Sequence, residues 1–192
     1  MRPPPMRGRR RERGRPVKSG LIIIAPVEPP LRERVLELQR RFDPKLAALQ
    51  PPHVTVAGSS GLGPISTRTT EAELRAELEP IARETAPLSL PVGAPVRFMQ
   101  SNVVVLPLAP HGAIRELHDR IGATGLLRER ARFTFTPHVT LSFFPEPTPD
   151  NLRRMLALRI EEPVVLTRIQ VHETLDLTRT RMVLELPLTG EG

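Results

Sequence analysis

Aliphatic residues recur along this chain with two different periods, and the switches between them mark out its elements. Leu21-Ile22-Ile23-Ile24-Ala25 is an apolar run rich in β-branched residues, which predicts a buried strand over 19–27. Pro29 and Pro30 then open a helix through about Phe42, with Leu31, Val35, Leu38 and Phe42 at helical spacing. Pro51-Pro52 stops the chain, and period-two alternation resumes to about Ser59. Gly58, Gly61 and Gly63 make the next segment a flexible loop, after which Thr69 or Thr70 caps a helix over 71–85. Residues 88–92 and 95–99 read as strand pieces interrupted by Gly93.

A second round begins at Asn102–Leu108, where Val103-Val104-Val105-Leu106 repeats the opening apolar run. A helix from about Gly112 to Leu127 carries Ile114, Leu117 and Ile121 on one face. Another alternating strand follows, then a proline-rich turn and a helix from Pro149 to about Leu158, capped by Thr148 or Asp150. Two strands, about 164–177 and 181–188, close the chain around a turn at Thr178–Thr180. Both halves read strand, helix, strand, helix, strand. This order predicts an α+β fold: a duplicated, bilobal unit with two antiparallel-type sheets flanked by helices around a central cleft. A parallel doubly wound fold fits less well, because no strand-to-helix turn is glycine-rich.

The two alternating strands carry the chemistry. Pro52-His53-Val54-Thr55-Val56 returns 85 positions later as Pro137-His138-Val139-Thr140-Leu141, in a chain with only five histidines. In an extended strand, His and Thr share one face while the aliphatic residues take the other. Two such strands brought together place two imidazoles and two hydroxyls around one small anion. Imidazole titrates near neutral pH, so one ring can take a proton from a nucleophile while the other gives one to a leaving group. Thr55 and Thr140 are placed to hydrogen-bond the non-bridging oxygens of a phosphodiester. A single His-x-Thr on a strand face is ordinarily a surface feature; the repeat within matched element orders argues for function. A zinc site fits less well, since Cys, Asp and Glu are missing beside either motif, and no metal is expected.

Composition sharpens this picture. The chain has no cysteine, which excludes disulfides and thiolate metal sites. The formal net charge of +7 resides in residues 1–18, a Pro- and Arg-rich segment with eight basic side chains against Glu12; the other 20 basic and 20 acidic side chains cancel. That segment is expected to be a disordered basic tail, either a dispensable end or an arm that adds salt-dependent affinity for RNA. Residues 19–192 are expected to form a single bilobal domain. The longest apolar run is too short to cross a bilayer, and the tail lacks the apolar core of a signal peptide, so a cytoplasmic protein is expected.

The paired His53-Val54-Thr55-Val56 and His138-Val139-Thr140-Leu141 resemble the signature of the two-histidine phosphoesterases, specifically the LigT-like group of 2′-5′ RNA ligases and RNA 2′,3′-cyclic phosphodiesterases. The resemblance covers about residues 19–188 in element order. It implies metal-independent hydrolysis of 2′,3′-cyclic phosphate ends to 2′-phosphates, with His53 as proton donor to the leaving 3′-oxygen and His138 as proton acceptor. No cofactor and no obligate protein partner are implied, and a monomer is expected. The partners are RNA ends or nucleotide cyclic phosphates. Ligation of RNA ends through a 2′-5′ bond, cleavage of small cyclic nucleotides, and non-catalytic RNA-end binding remain open.

Supporting residues follow from alternation. From Arg132 to Phe143, the positions Arg132, Thr134, Thr136, His138, Thr140 and Ser142 share one side of an extended run. Arg132 and Ser142 are therefore candidate substrate-binding residues, with Arg130 a further candidate; the family's usual arginine aligns one position off, at Phe133. Base stacking normally uses aromatic rings. Without Tyr or Trp, Phe144 and Phe98 are the candidates. His172 faces away from the core, toward the cleft or, more simply, toward water. His111 and His118 read as surface or edge residues of the third helix region.

Overall fold

The computed structural model describes residues 20–99, 101–176 and 178–191. The basic segment 1–18 lies outside them. The strands are β1 (Leu21–Pro26), β2 (His53–Ala57), β3 (Leu88–Leu90), β4 (Val96–Arg97), β5 (Val104–Pro107), β6 (His138–Ser142), β7 (Val164–Leu166), β8 (Arg168–Thr174) and β9 (Thr180–Pro187). The helices are α1 (Leu31–Phe42), α2 (Pro44–Leu49), α3 (Glu71–Glu84), α4 (Ala113–Gly122) and α5 (Pro149–Leu156). Seven strands form one sheet in the order β4-β5-β6-β2-β1-β8-β9, while β3 and β7 pair separately. Each pairing is antiparallel. The fold is α+β, with helices flanking these two sheets.

The ladders follow the sequence duplication residue by residue. Ile24 of β1 pairs with Thr55 on one side and Gln170 on the other. Val105 of β5 pairs with Thr140 and Val96 in the same way. The two halves are thus related about an axis between β2 and β6. Each is completed by a strand from the other: β4, from the first half, pairs with β5, and β8, from the second half, pairs with β1.

Both motif strands are bulged at the same place. Opposite adjacent residues Ile23 and Ile24, β2 advances from Ala57 to Thr55; opposite Val104 and Val105, β6 advances from Ser142 to Thr140. The extra residue is Val56 in one strand and Leu141 in the other. A bulge of this kind reverses the in–out alternation beyond it. The expected placement of Ser142 on the catalytic face is corrected accordingly: Ser142 is fully buried, behind the bulge at Leu141.

The helices explain how the motif strands are held. Val35, Leu38, Gln39 and Phe42 of α1 occupy an i, i+3, i+4, i+7 stripe, as do Ile114, Leu117, His118 and Ile121 of α4, and every one of these side chains is buried. In each stripe the i+4 position is polar. Gln39 Nε2 donates to the Thr140 carbonyl on β6 at 2.8 Å, and His118 Nδ1 donates to the Val56 carbonyl on β2 at 2.7 Å. The helix of each half therefore pins the histidine strand of the other. This corrects the surface reading of His118, which is 3% exposed and stacks on Phe135 with 3.7 Å between ring centroids. His111 is exposed, as expected.

Three boundaries differ from the sequence expectation. α4 ends at Gly122, and Arg128 folds back to donate to the carbonyl oxygens of Ile121 and Leu126, consuming the turn expected to be helical. α2, which no apolar stripe announces, is started by Asp43 as N-cap and Pro44 in its first turn. The strand expected over 164–177 divides at Thr167, where the chain leaves β3 for β1. Burial records the switch: Val164 and Leu166 point inward, then Ile169 and Val171, three positions later instead of two.

Candidate active site

β2 and β6 lie side by side at the middle of the large sheet, joined by the pair Val54–Val139. One residue either way, His53 stands across from Thr140 and Thr55 across from His138. Diagonal positions on such a ladder are about 7–8 Å apart, a spacing that two imidazoles can bridge through one phosphate. The burial pattern is the same in both strands: His and Thr are half-buried while the residues between and after them are buried. Four polar side chains thus meet on one face, over a floor of Val54, Val56, Val139 and Leu141.

Each histidine is oriented by main chain. His53 Nδ1 donates to the Pro51 carbonyl at 2.9 Å, and His138 Nδ1 donates to the Thr136 carbonyl at 2.7 Å. A carbonyl can only accept, so each Nδ1 carries hydrogen and each neutral ring keeps its lone pair on Nε2. Base and acid chemistry are therefore both assigned to Nε2. The prolines that precede the histidines are fixed in turn: the carbonyl of Pro52 accepts from Val27 N–H at 3.0 Å, and that of Pro137 from Leu108 N–H at 2.9 Å. The hydroxyls of Thr55 and Thr140 have no hydrogen-bond partner among the described residues, which leaves them available to a ligand.

The surroundings of the two imidazoles are unequal. Phe98 and His138 meet in a perpendicular arrangement, with centroids 5.0 Å apart and planes at 86°. By ladder register the position equivalent to Phe98 is His172, two steps along from the Ile24–Gln170 pair. His172 donates from Nε2 to Gln170 Oε1 at 2.9 Å and meets Thr180 Oγ1 at 3.3 Å through Nδ1. It is half-buried and faces the cleft, where water was the simpler expectation. Burial is the first cause holding His53 below its ordinary 6.5; charges on His172 and His138 push the same way, and the Pro51 carbonyl opposes them. Burial also lowers His138, against the Thr136 carbonyl.

A cavity of about 210 Å³ opens beside His53 and Thr140, walled by α1, α2, the segment after β6, and Thr178 and Thr180. Phe144, the candidate for base stacking, lines it, with Lys45 Nζ 4.3 Å from its ring centroid. Arg132 and Arg130 are exposed, and neither side chain has a polar partner among the described residues. The Arg132 main chain binds the Ser59 carbonyl at 2.9 Å, which places this segment against the loop that follows β2. Ser142, buried behind its bulge, does not reach the site.

The sequence reading missed Gln39, Gln50 and Asp43. Asp43 is fully buried, and its carboxylate accepts from the main-chain N–H of Leu46 (3.0 Å), Phe143 (2.7 Å) and Phe144 (2.9 Å). It ties the start of α2 to the cavity wall that follows β6. A polar residue inside an apolar helical stripe was the legible signal for Gln39, and Asp-Pro at a helix start was the signal for Asp43. Among the described residues, no group of three or more His, Asp or Glu is placed to hold a metal ion. No helix among them is long and apolar enough to cross a membrane.

One His-x-Thr on each of two adjacent central strands of a duplicated α+β fold is the arrangement of a two-histidine phosphoesterase. Comparison with known proteins agrees: the family model of the 2′-5′ RNA ligase superfamily matches residues 27–177, and the chain belongs to that superfamily. No curated protein matches it. Among solved structures, Escherichia coli LigT complexed with 3′-AMP superposes with a TM-score of 0.54 at 18% identity, covering 89% of this chain and 98% of that one. LigT in apo form gives 0.53 at 20% identity, covering 90% and 99%. A Thermus thermophilus protein gives 0.57 at 12% identity, covering 90% and 100%. These likenesses establish the shared fold. Family membership carries the coarser functional statement, a phosphoesterase or ligase.

Proposed function

We propose that this chain hydrolyses 2′,3′-cyclic phosphodiesters at RNA ends or on nucleotides, leaving a 2′-phosphomonoester. The observation that carries this reading is the pair of imidazoles held alike, each with Nδ1 spent on a carbonyl two residues upstream. His138 Nε2 takes a proton from water as its oxygen bonds to phosphorus; the bond from phosphorus to the 3′-oxygen breaks, and protonated His53 Nε2 supplies hydrogen to that oxygen. Thr55 and Thr140 donate to the non-bridging oxygens as their charge grows. The two imidazoles exchange one proton with solvent to reset. The proton transfers need no metal ion.

The cavity supports this direction. The leaving 3′-oxygen stays on the ribose while the attacking water arrives from the opposite side of phosphorus. The nucleoside therefore belongs on the acid's side, and the cavity adjoins His53. Arg132 and Arg130, without a side-chain partner among the described residues, lie on a segment beside the loop that follows the first motif and are suited to bind flanking phosphates. Ligation is the same displacement with an RNA 5′-hydroxyl in the place of water, the bond to the 3′-oxygen breaking as a 2′-5′ phosphodiester forms; water at about 55 M favours hydrolysis by mass action. The test is an oligonucleotide with a 2′,3′-cyclic end, incubated with the enzyme in EDTA. Conversion to a 2′-phosphate end is expected; persistence of the cyclic end at enzyme excess would defeat the proposal, and a joined product would favour ligation.

A further inference from the structure

We infer that the cavity beside His53 is a nucleobase seat in which Gln39 and Gln50 read the edge of the terminal base. The inference rests on the function proposed above for the neighbouring imidazoles. Leu46, Leu49, Phe143 and Phe144 give the cavity an apolar side, Thr140, Thr178 and Thr180 add hydroxyls, and among the described residues lining it His53 alone is ionisable. Phe143 and Leu49 are 46% and 38% exposed, large apolar surfaces turned outward at the rim of a catalytic cleft.

Two amide atoms at this cavity have no partner among the described residues. Gln39 lines it and is 2% exposed, and its Oε1 is unbonded; Gln50 lines it as well, and its Nε2 is buried and unbonded. Buried polar atoms are ordinarily paired, so orphans at a cavity mark where a partner belongs. The orientation of Gln39 is not free to reverse, because its Nε2 donates to the Thr140 carbonyl. A partner that offers a donor to Gln39 and an acceptor to Gln50, as the two amides are placed, satisfies both. Nucleobases combine these features, carrying a donor and an acceptor side by side on a planar ring. A volume of about 210 Å³ falls below the range of pockets that enclose a whole drug-sized ligand, roughly 300–1,000 Å³. It suits one ring system with its ribose and phosphate outside, at Thr140 and the imidazoles.

The test uses the full chain and three probes: adenosine 2′-monophosphate, ribose 2-phosphate and inorganic phosphate, titrated calorimetrically. The nucleotide should bind at least ten-fold more tightly than ribose 2-phosphate, and Gln50→Leu should weaken the nucleotide about ten-fold, the scale of one lost hydrogen bond. Gln50→Leu should leave inorganic phosphate binding unaltered and raise KM for 2′,3′-cyclic mononucleotides more than it lowers kcat. Equal binding of nucleotide and ribose phosphate, or nucleotide affinity indifferent to Gln50→Leu, overturns the seat. If cyclic nucleotides are cleaved but their bases make no difference, the seat fails and the proposed reaction stands. Nucleotide binding that depends on Gln50, with no cyclic ester cleaved, leaves the seat standing and the reaction refuted.

Discussion

Asp43 joins the fold to the site, and its removal should expose that link. Its carboxylate lies at zero exposure and holds three main-chain N–H groups, one at the start of α2 and two in the segment after β6. Asp43→Ala strips all three. Losing the helix cap costs about 1 kcal/mol, and leaving the N–H groups of Phe143 and Phe144 without an acceptor costs about 1–3 kcal/mol each. A total loss of about 3–7 kcal/mol is expected, a large share of the roughly 5–15 kcal/mol that stabilises a domain. Asp43→Asn keeps one carbonyl oxygen and turns an NH₂ against donors, so a loss of about 2–3 kcal/mol is expected. Urea unfolding followed by circular dichroism measures both. Kinetics supply a second readout: the carbonyls that orient His53 and His138 are untouched, so KM should rise more than kcat falls as the Phe143–Phe144 wall loosens. An alanine variant within about 1 kcal/mol of the parent protein, or an asparagine variant indistinguishable from it, would refute this account of Asp43.

Single changes His53→Ala and His138→Ala should each lower kcat about 10²- to 10⁴-fold, with the double variant far from additive; product release from a cyclic nucleotide measures this, and full turnover in either single variant would rule out paired acid–base catalysis. Four imidazoles, His53, His118, His138 and His172, sit below 6.5 with burial the first cause in each. The unfolded chain therefore binds protons before the folded one as pH falls, so stability should decline below about pH 6.5 and be insensitive to these groups above it; a urea midpoint no lower at pH 5 than at pH 7.5 contradicts this. The same shifts predict that kcat/KM falls with rising pH from below 6.5, whereas kcat, measured with a phosphate anion beside the imidazolium, holds to higher pH. Gly58→Ala should place a Cβ 2.9 Å from Thr55 Cγ2, and kcat should drop roughly ten-fold as that hydroxyl is displaced; Gly125→Ala, whose Cβ meets its nearest neighbour at an ordinary 3.5 Å, is the control.

Much of this architecture was legible because local pattern and tertiary structure agree. The α1 stripe, the Thr70 cap with Glu73 returning to it, and the two motif strands need only neighbours in sequence to specify them. Ser142 was misplaced because a bulge is a property of a ladder, and the residues of β6 carry no mark of the partner that skips one of them. Arg128 ended α4 early through three contacts made by one side chain, against a sequence whose apolar spacing ran on. The strand division at Thr167 left a trace in the phase of alternation, visible only once two different partners are known.

Duplication and asymmetry divide the functional labour between them. The approximate two-fold supplies what any in-line displacement needs: an acid and a base facing each other, each oriented by the same main-chain contact. A perfectly symmetric site could not distinguish leaving group from nucleophile. Direction comes from the elements the duplication does not copy. Among the described residues α2, which lies between α1 and β2, has no counterpart between α4 and β6, and it walls the cavity on the His53 side. At the position equivalent to Phe98 stands His172, which adds a hydrogen-bonding and titratable ring near one imidazole where the other meets an apolar ring. An exchange of the two environments, Phe98→His with His172→Phe, should therefore shift the pH dependence of the two imidazoles while the α2 cavity keeps the nucleoside on the His53 side. Product analysis of that double variant separates the two asymmetries: a retained 2′-phosphate product assigns direction to the cavity, and a 3′-phosphate product would transfer it to the rings.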